Sequence, residues 1–209
     1  MFLKLVLLEV IVLTVQCILY FGCETLQHDF HNVKRPIDDR VPLVPWTVLI
    51  YSLWFPLIAV FPLFLFYASQ KIFLIYQIAI LLCNLLSTIC YLLWPTTFTR
   101  DPLPDTFWGR VLGFVYKASF RGVNCAPSLH CSHCFLILAC VGLCPALPLL
   151  LRIVFALIAI GIILSTQLTK QHVLIDMLTA LPVAAFTLAL GFLAEGSGLA
   201  EQLFGWFLF

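Results

Sequence analysis

The sequence predicts an all-α integral membrane protein built as a bundle of six transmembrane helices, and three observations predict it. Hydrophobic residues make up 63% of the 209 residues and charged residues only 10%, whereas a soluble domain carries roughly 25% charged residues. Mean hydropathy is +1.09. Apolar runs long enough to cross hydrocarbon as helices, about 20 residues each, alternate with short polar or proline-bearing stretches. No internal repeat is visible, so residues 1–209 read as one domain whose core is 37–193. The formal net charge of +1 offers no basic surface for nucleic acid. The partners it implies are the bilayer and a lipid within it.

The first span is Leu3 to Phe21. Lys4 and the position near the start also suit a signal peptide, but Glu9 inside the apolar run and the lack of an A-x-A site favour a retained helix. Gly22 to Pro45 is polar, and its His28 and His31 read as members of a solvated loop because no further metal ligand lies nearby. Trp46 and Tyr51 serve as interfacial anchors for a second span that ends near Tyr67. A third runs from Phe73 to Trp94, closed by Pro95.

The loop from Pro95 to Ala126 holds Arg100, Asp101, Asp105, Arg110, Lys117 and Arg121, and its stretch Phe107 to Phe120 has the apolar spacing of an interfacial helix. The fourth span starts near His130 and ends near Leu143, with Pro145 and Pro148 in the turn that follows. Leu149 to Leu168 and Val173 to Leu193 are the fifth and sixth, and the tail reads as a short interfacial helix. The nine cysteines form no spaced framework. Cys23 and Cys125 fall in loops on one face and could pair if that face is oxidising.

Two stretches stand out against this background: NCAPSLHCSHC at 124–134 and STQLTKQHVLID at 165–176. Each places a histidine where a polar loop gives way to an apolar run. In the second, Asp176 follows His172 by one helical turn, which sets a carboxylate beside an imidazole on the same face. An acid buried at that depth calls for a function. The fourth and sixth spans run in the same direction, so His130, His172, Lys170, Arg100 and Arg121 share one membrane face.

The run Pro127-Ser128-Leu129-His130, with Ser165, Lys170, His172 and Asp176 at the spacing S-x6-H-x3-D, resembles the second and third signature motifs of the type 2 phosphatidic acid phosphatase and haloperoxidase superfamily. PSLH, TKQH and the segment IDDRVPLVPW at 37–46 look most like its inositolphosphotransferase-type branch. Thr166 stands where the superfamily carries an arginine after the serine, and its first motif, K-x6-RP, is not present in the expected loop, where Arg100 is the nearest substitute. The resemblance implies a helical membrane enzyme that moves phosphoryl groups through a phosphohistidine, without a metal or other cofactor. It makes His172 the nucleophile and Asp176 its orienting carboxylate.

The residues permit that chemistry on their own terms. A phosphate ester needs cations and amides around phosphorus, an in-line nucleophile and a proton for the leaving oxygen. His172 supported by Asp176 supplies the first attack, and His130 supplies the proton. The helix start at His130 offers free backbone amides to an anion, and Ser128, as its cap, together with Lys170, Arg100 and Arg121 are the candidate phosphate ligands. The function expected is a lipid phosphate phosphatase or phosphotransferase acting on an ester or pyrophosphate, with transfer of an inositol-phosphate-type head group to a lipid alcohol such as a sphingolipid as its alternative.

Rival readings are a proton-coupled transporter using Asp176 and the histidines, and a catalytically inactive scaffold. Zinc in HCSHC is a further rival, opposed by the 100° offset between neighbours on a helix. Sidedness divides two criteria. Lys34, Arg35, Arg40, Arg100, Arg110, Lys117, Arg121 and Lys170 lie on the motif face against Lys4, Lys71 and Arg152 opposite. The positive-inside rule therefore places the motifs in the cytoplasm, while the resemblance implies the exterior or lumenal face.

Overall fold

The computed structural model describes residues 1–119 and 122–208. Nine helices lie among them, with a single short strand pair: α1 (Phe2–Glu24), β1 (His31–Asn32), α2 (Val48–Ser52), α3 (Trp54–Ala68), α4 (Gln70–Leu93), β2 (Thr96–Thr97), α5 (Phe107–Ala118), α6 (Leu129–Leu143), α7 (Leu149–Leu168), α8 (Leu174–Gly196) and α9 (Leu199–Leu208). Five segments are long and apolar enough to cross a membrane: Phe2–Glu24, Pro45–Ala68, Gln70–Leu93, Leu149–Leu168 and Leu174–Gly196. The chain is therefore a multi-pass, all-α membrane protein. The apolar helix α6 has only 15 residues, a rise of about 22 Å against the ~30 Å of a hydrocarbon core.

α4 is the central element, packed against α1, α3, α6, α8 and α9. Its contact with α8 is close because α8 presents Ala180, Ala184, Thr187 and Gly191 along one buried face. A Cβ on Gly191 would stand 2.6 Å from the carbonyl oxygen of Ile75. Helices in lipid gain little from excluding water, so small residues that let backbones approach are what hold such a pair. The outer faces of α1, α3, α7 and α8 carry exposed leucines, isoleucines and phenylalanines, including Leu7, Phe55, Leu157 and Phe186.

The second span is divided: a turn at Leu53 separates α2 from α3, and Pro45 opens the one-turn 3-10 helix before them. Polar residues start three other helices. Ser69, Thr106 and Ser128 each accept a hydrogen bond from a first-turn amide, satisfying donors that a helix start leaves free.

At one end of the bundle three loops are sewn together. β1 runs parallel to β2, with His31 opposite Thr96, and Thr97 forms a bridge to Val123. This joins the segments that follow α1 and α4 to the one that precedes α6. Strands of two residues carry no alternating pattern, which is why the sequence did not announce them.

Candidate active site

α7 and α8 are joined by a tight turn. Thr166 accepts from the backbone amides of Gln171 and His172, each at 3.1 Å, and Lys170 adopts φ of 52°, a left-handed conformation unusual for a residue with a side chain. The turn leaves His172 just outside α8 and Asp176 within its first turn. Asp176 Oδ2 accepts from His172 Nδ1 at 3.0 Å and from the Val173 amide at 3.0 Å. The carboxylate also sits at the positive end of the helix dipole. Asp176 is fully buried and His172 is 8% exposed. An ionised carboxylate can only accept, so Nδ1 is the ring nitrogen that donates to it, and Nε2 is the nitrogen left for other partners.

α6 is fastened to the same turn. Ser128 Oγ accepts from the Cys131 amide, and the Ser128 amide donates to the backbone oxygen of Asp176 at 3.0 Å. Thr96 Oγ1 accepts from the amides of Cys125 and Ala126, and the Tyr91 hydroxyl donates to the Pro127 oxygen, so the residues leading into α6 are held from both sides. His130 therefore lies 5.5 Å from His172 between ring centres. Its ring stacks on Tyr51 at 4.6 Å and tilts against Trp54 at 4.2 Å. Its Nε2 is buried without a hydrogen bond.

Beside His172 a small cavity is lined by Lys34, Asp38, Phe98, Asp101 and Lys170. Lys170 is 4% exposed; its Nζ donates to the backbone oxygen of Asp38 at 2.6 Å and lies 3.7 Å from Asp101 Oδ2. Lys34 Nζ reaches Asp39 at 2.8 Å and Asp101 at 2.9 Å. Those two carboxylates raise the Lys34 pKa, and the hydrogen bond from Lys34 holds Asp101 below the usual carboxylate range. Asp38 has a different duty. Its Oδ1 accepts from the Leu174 amide at 2.9 Å and its Oδ2 from the Arg35 amide at 2.7 Å, pinning the loop after β1 to the start of α8.

The sequence-derived site residues divide accordingly. His130 lies beside the His172–Asp176 pair, Lys170 lines the cavity next to His172, and Ser128 is present as the fully buried cap of α6. Arg100 is near but occupied: Nη1 donates to the Tyr116 and Ser119 oxygens, Nη2 donates to Ser119 Oγ and Gln171 Oε1, and Nε has no partner. Arg121 lies outside the described residues.

Sequence reasoning passed over Lys34, Asp38 and Asp101. Asp38 lies inside the IDDR segment, and Asp101 directly follows Arg100, but charge in a polar loop carries no sign of where it folds. Tyr51 was assigned to the interface. It is instead 7% exposed and stacked on His130.

The HCSHC side chains diverge as the helical offset requires: Cys131 turns to Thr166, while His133 stacks on Trp54. Among the described residues no group of three His, Cys, Asp or Glu side chains is placed to hold a metal ion. Cys23 and Cys125 are free thiols, the first against Asn124 and the second against the Gly122 oxygen, so the pairing is not formed. No family model, curated protein or solved structure matches the chain.

Proposed function

We propose that the protein is a membrane phosphatase or phosphotransferase that cleaves a lipid phosphate ester or pyrophosphate through a phosphohistidine on His172. The observation that carries this reading is the division of labour on one imidazole. Nδ1 is fixed by buried Asp176, which leaves Nε2 as the nucleophile, with the His130 ring 5.5 Å away. In the first step Nε2 attacks phosphorus and the bond to the leaving oxygen breaks. Asp176 stabilises the imidazolium that forms, and His130, carrying the proton, hands it to the leaving oxygen.

In the second step water or a lipid alcohol gives a proton to His130 and attacks the phosphohistidine, which restores both rings. Lys170 and the amides at the start of α6 offset the charge on the phosphoryl oxygens. An acceptor hydroxyl on a lipid would make the enzyme a phosphotransferase of head-group type; water would make it a phosphatase. In this reading α6 is the sixth crossing of the bundle, since it is packed between α4, α7 and α8 and its start lies beside that of α8.

The experiment incubates purified protein with a panel of phosphorylated lipids, with and without inositol or a lipid alcohol as acceptor. Released phosphate and new lipid species are followed together with acid-labile label on the protein. The expected label is a phosphohistidine that disappears, with all turnover, in His172→Ala. Undiminished turnover in that variant would sink the proposal.

A further inference from the structure

The cavity beside His172 already contains an anion. Asp101 Oδ1 lies 2.9 Å from Lys34 Nζ, and Oδ2 lies 3.7 Å from Lys170 Nζ, so the two carboxylate oxygens span the two ammonium groups. A phosphoryl group would span them with two of its own oxygens. Among the described residues, Lys34 and Lys170 are the only hydrogen-bond or ion-pair partners of this carboxylate, whereas Asp38 binds two backbone amides. The Asp101 side chain is 31% exposed and stands on an irregular stretch between β2 and α5.

We propose that Lys34 is a phosphate-binding cation of this site alongside Lys170, and that Asp101 is an internal anion that substrate phosphate displaces. The proposal rests on the reading of His172 as the phosphoryl acceptor and names what grips the transferred group. Its physical basis is the position of Lys170, whose side chain is 5% exposed. A buried ammonium without a partner is costly, so a site that binds an anion only intermittently needs a substitute between turnovers. Asp101 fills that need, and Lys34, also held by Asp39 at 2.8 Å, stays in place while the exchange occurs. Substrate affinity is then set by the difference between phosphate and carboxylate at the same two lysines.

The test measures binding of inorganic phosphate to the full chain in detergent by calorimetry, with a melting curve for each variant. Asp101→Asn removes the competing charge and should bind phosphate about tenfold more tightly. Lys34→Met should lose about tenfold or more, the scale of one charge-assisted hydrogen bond, and Lys34→Arg should recover most of it. Unchanged or weaker binding in Asp101→Asn would overturn the proposal, as would Lys34→Met binding like the unmodified chain or no phosphate binding at all. The underlying reading fails separately: lipid turnover that survives His172→Ala overturns it even where the binding responses hold. A normal phosphohistidine with no response at Lys34 or Asp101 overturns only the present inference.

Discussion

Two regions of this apolar protein bury polar side chains, and they differ in how those side chains are held. At the end of the bundle where α6 and α8 begin, His172 is tied through Nδ1, Asp176 through Oδ2, and Asp38 through both carboxylate oxygens. Between α1 and α4, Glu9 accepts from Gln77, whose own Oε1 is left unbonded, and two turns further along each helix the side chains are held still less. Gln16 leaves Oε1 unbonded, and Asn84, 1% exposed, has no partner for either side-chain polar atom. Burial of a polar group does not by itself mark a site. A reactive group needs one atom locked and another free, and His172 meets that description while Asn84 is locked nowhere.

The sharpest way to test that distinction is Asp176→Asn. The amide keeps the volume and can still hydrogen-bond His172, but it cannot stabilise an imidazolium and is free to select the other tautomer. Turnover should fall on the order of 10³- to 10⁴-fold, the range for an orienting carboxylate behind a catalytic histidine. The melting temperature should change little. A loss below about tenfold would remove Asp176 from the mechanism and leave it a helix-start residue.

A smaller effect is expected in the interior, at Gln77→Leu. Glu9 would lose its only described hydrogen bond while 5% exposed, and an orphaned buried acceptor costs about 1 to 3 kcal/mol. Replacing both members, Glu9→Leu with Gln77→Leu, should restore most of the stability, because removing a polar pair together leaves nothing unsatisfied. Thermal unfolding of the four forms in one detergent gives the coupling directly. Additive losses would mean that the pair is not a unit and that Glu9 has another role.

The same contrast explains what the sequence made legible. The long apolar runs placed α1, α4, α7 and α8 within a few residues, since a span is read from composition alone. His130 and His172 were brought to one end by counting crossings, and the Asp176 partnership by one turn of helix. Lys34, Asp38 and Asp101 were not legible because they reach the cavity from loops held by a two-residue strand pair and a bridge, neither of which leaves a periodic trace. Tyr51 illustrates a related limit of composition, which identifies an aromatic near an interface but not the ring of His130 on which it stacks.

The smallest expected change bears most directly on whether the interior has a function of its own. Asn84 lies on the central helix, and neither its Oδ1 nor its Nδ2 is bonded. In hydrocarbon such a group pays for its desolvation without return, so Asn84→Leu, close in volume, should leave turnover unchanged and stabilise the fold by up to about 1 kcal/mol. The opposite result would be more instructive. If Asn84→Leu lowered turnover while Gln77→Leu lowered only stability, the amide would have to act on the reaction from inside the bundle. The criterion of one locked and one free atom would then have missed a working residue.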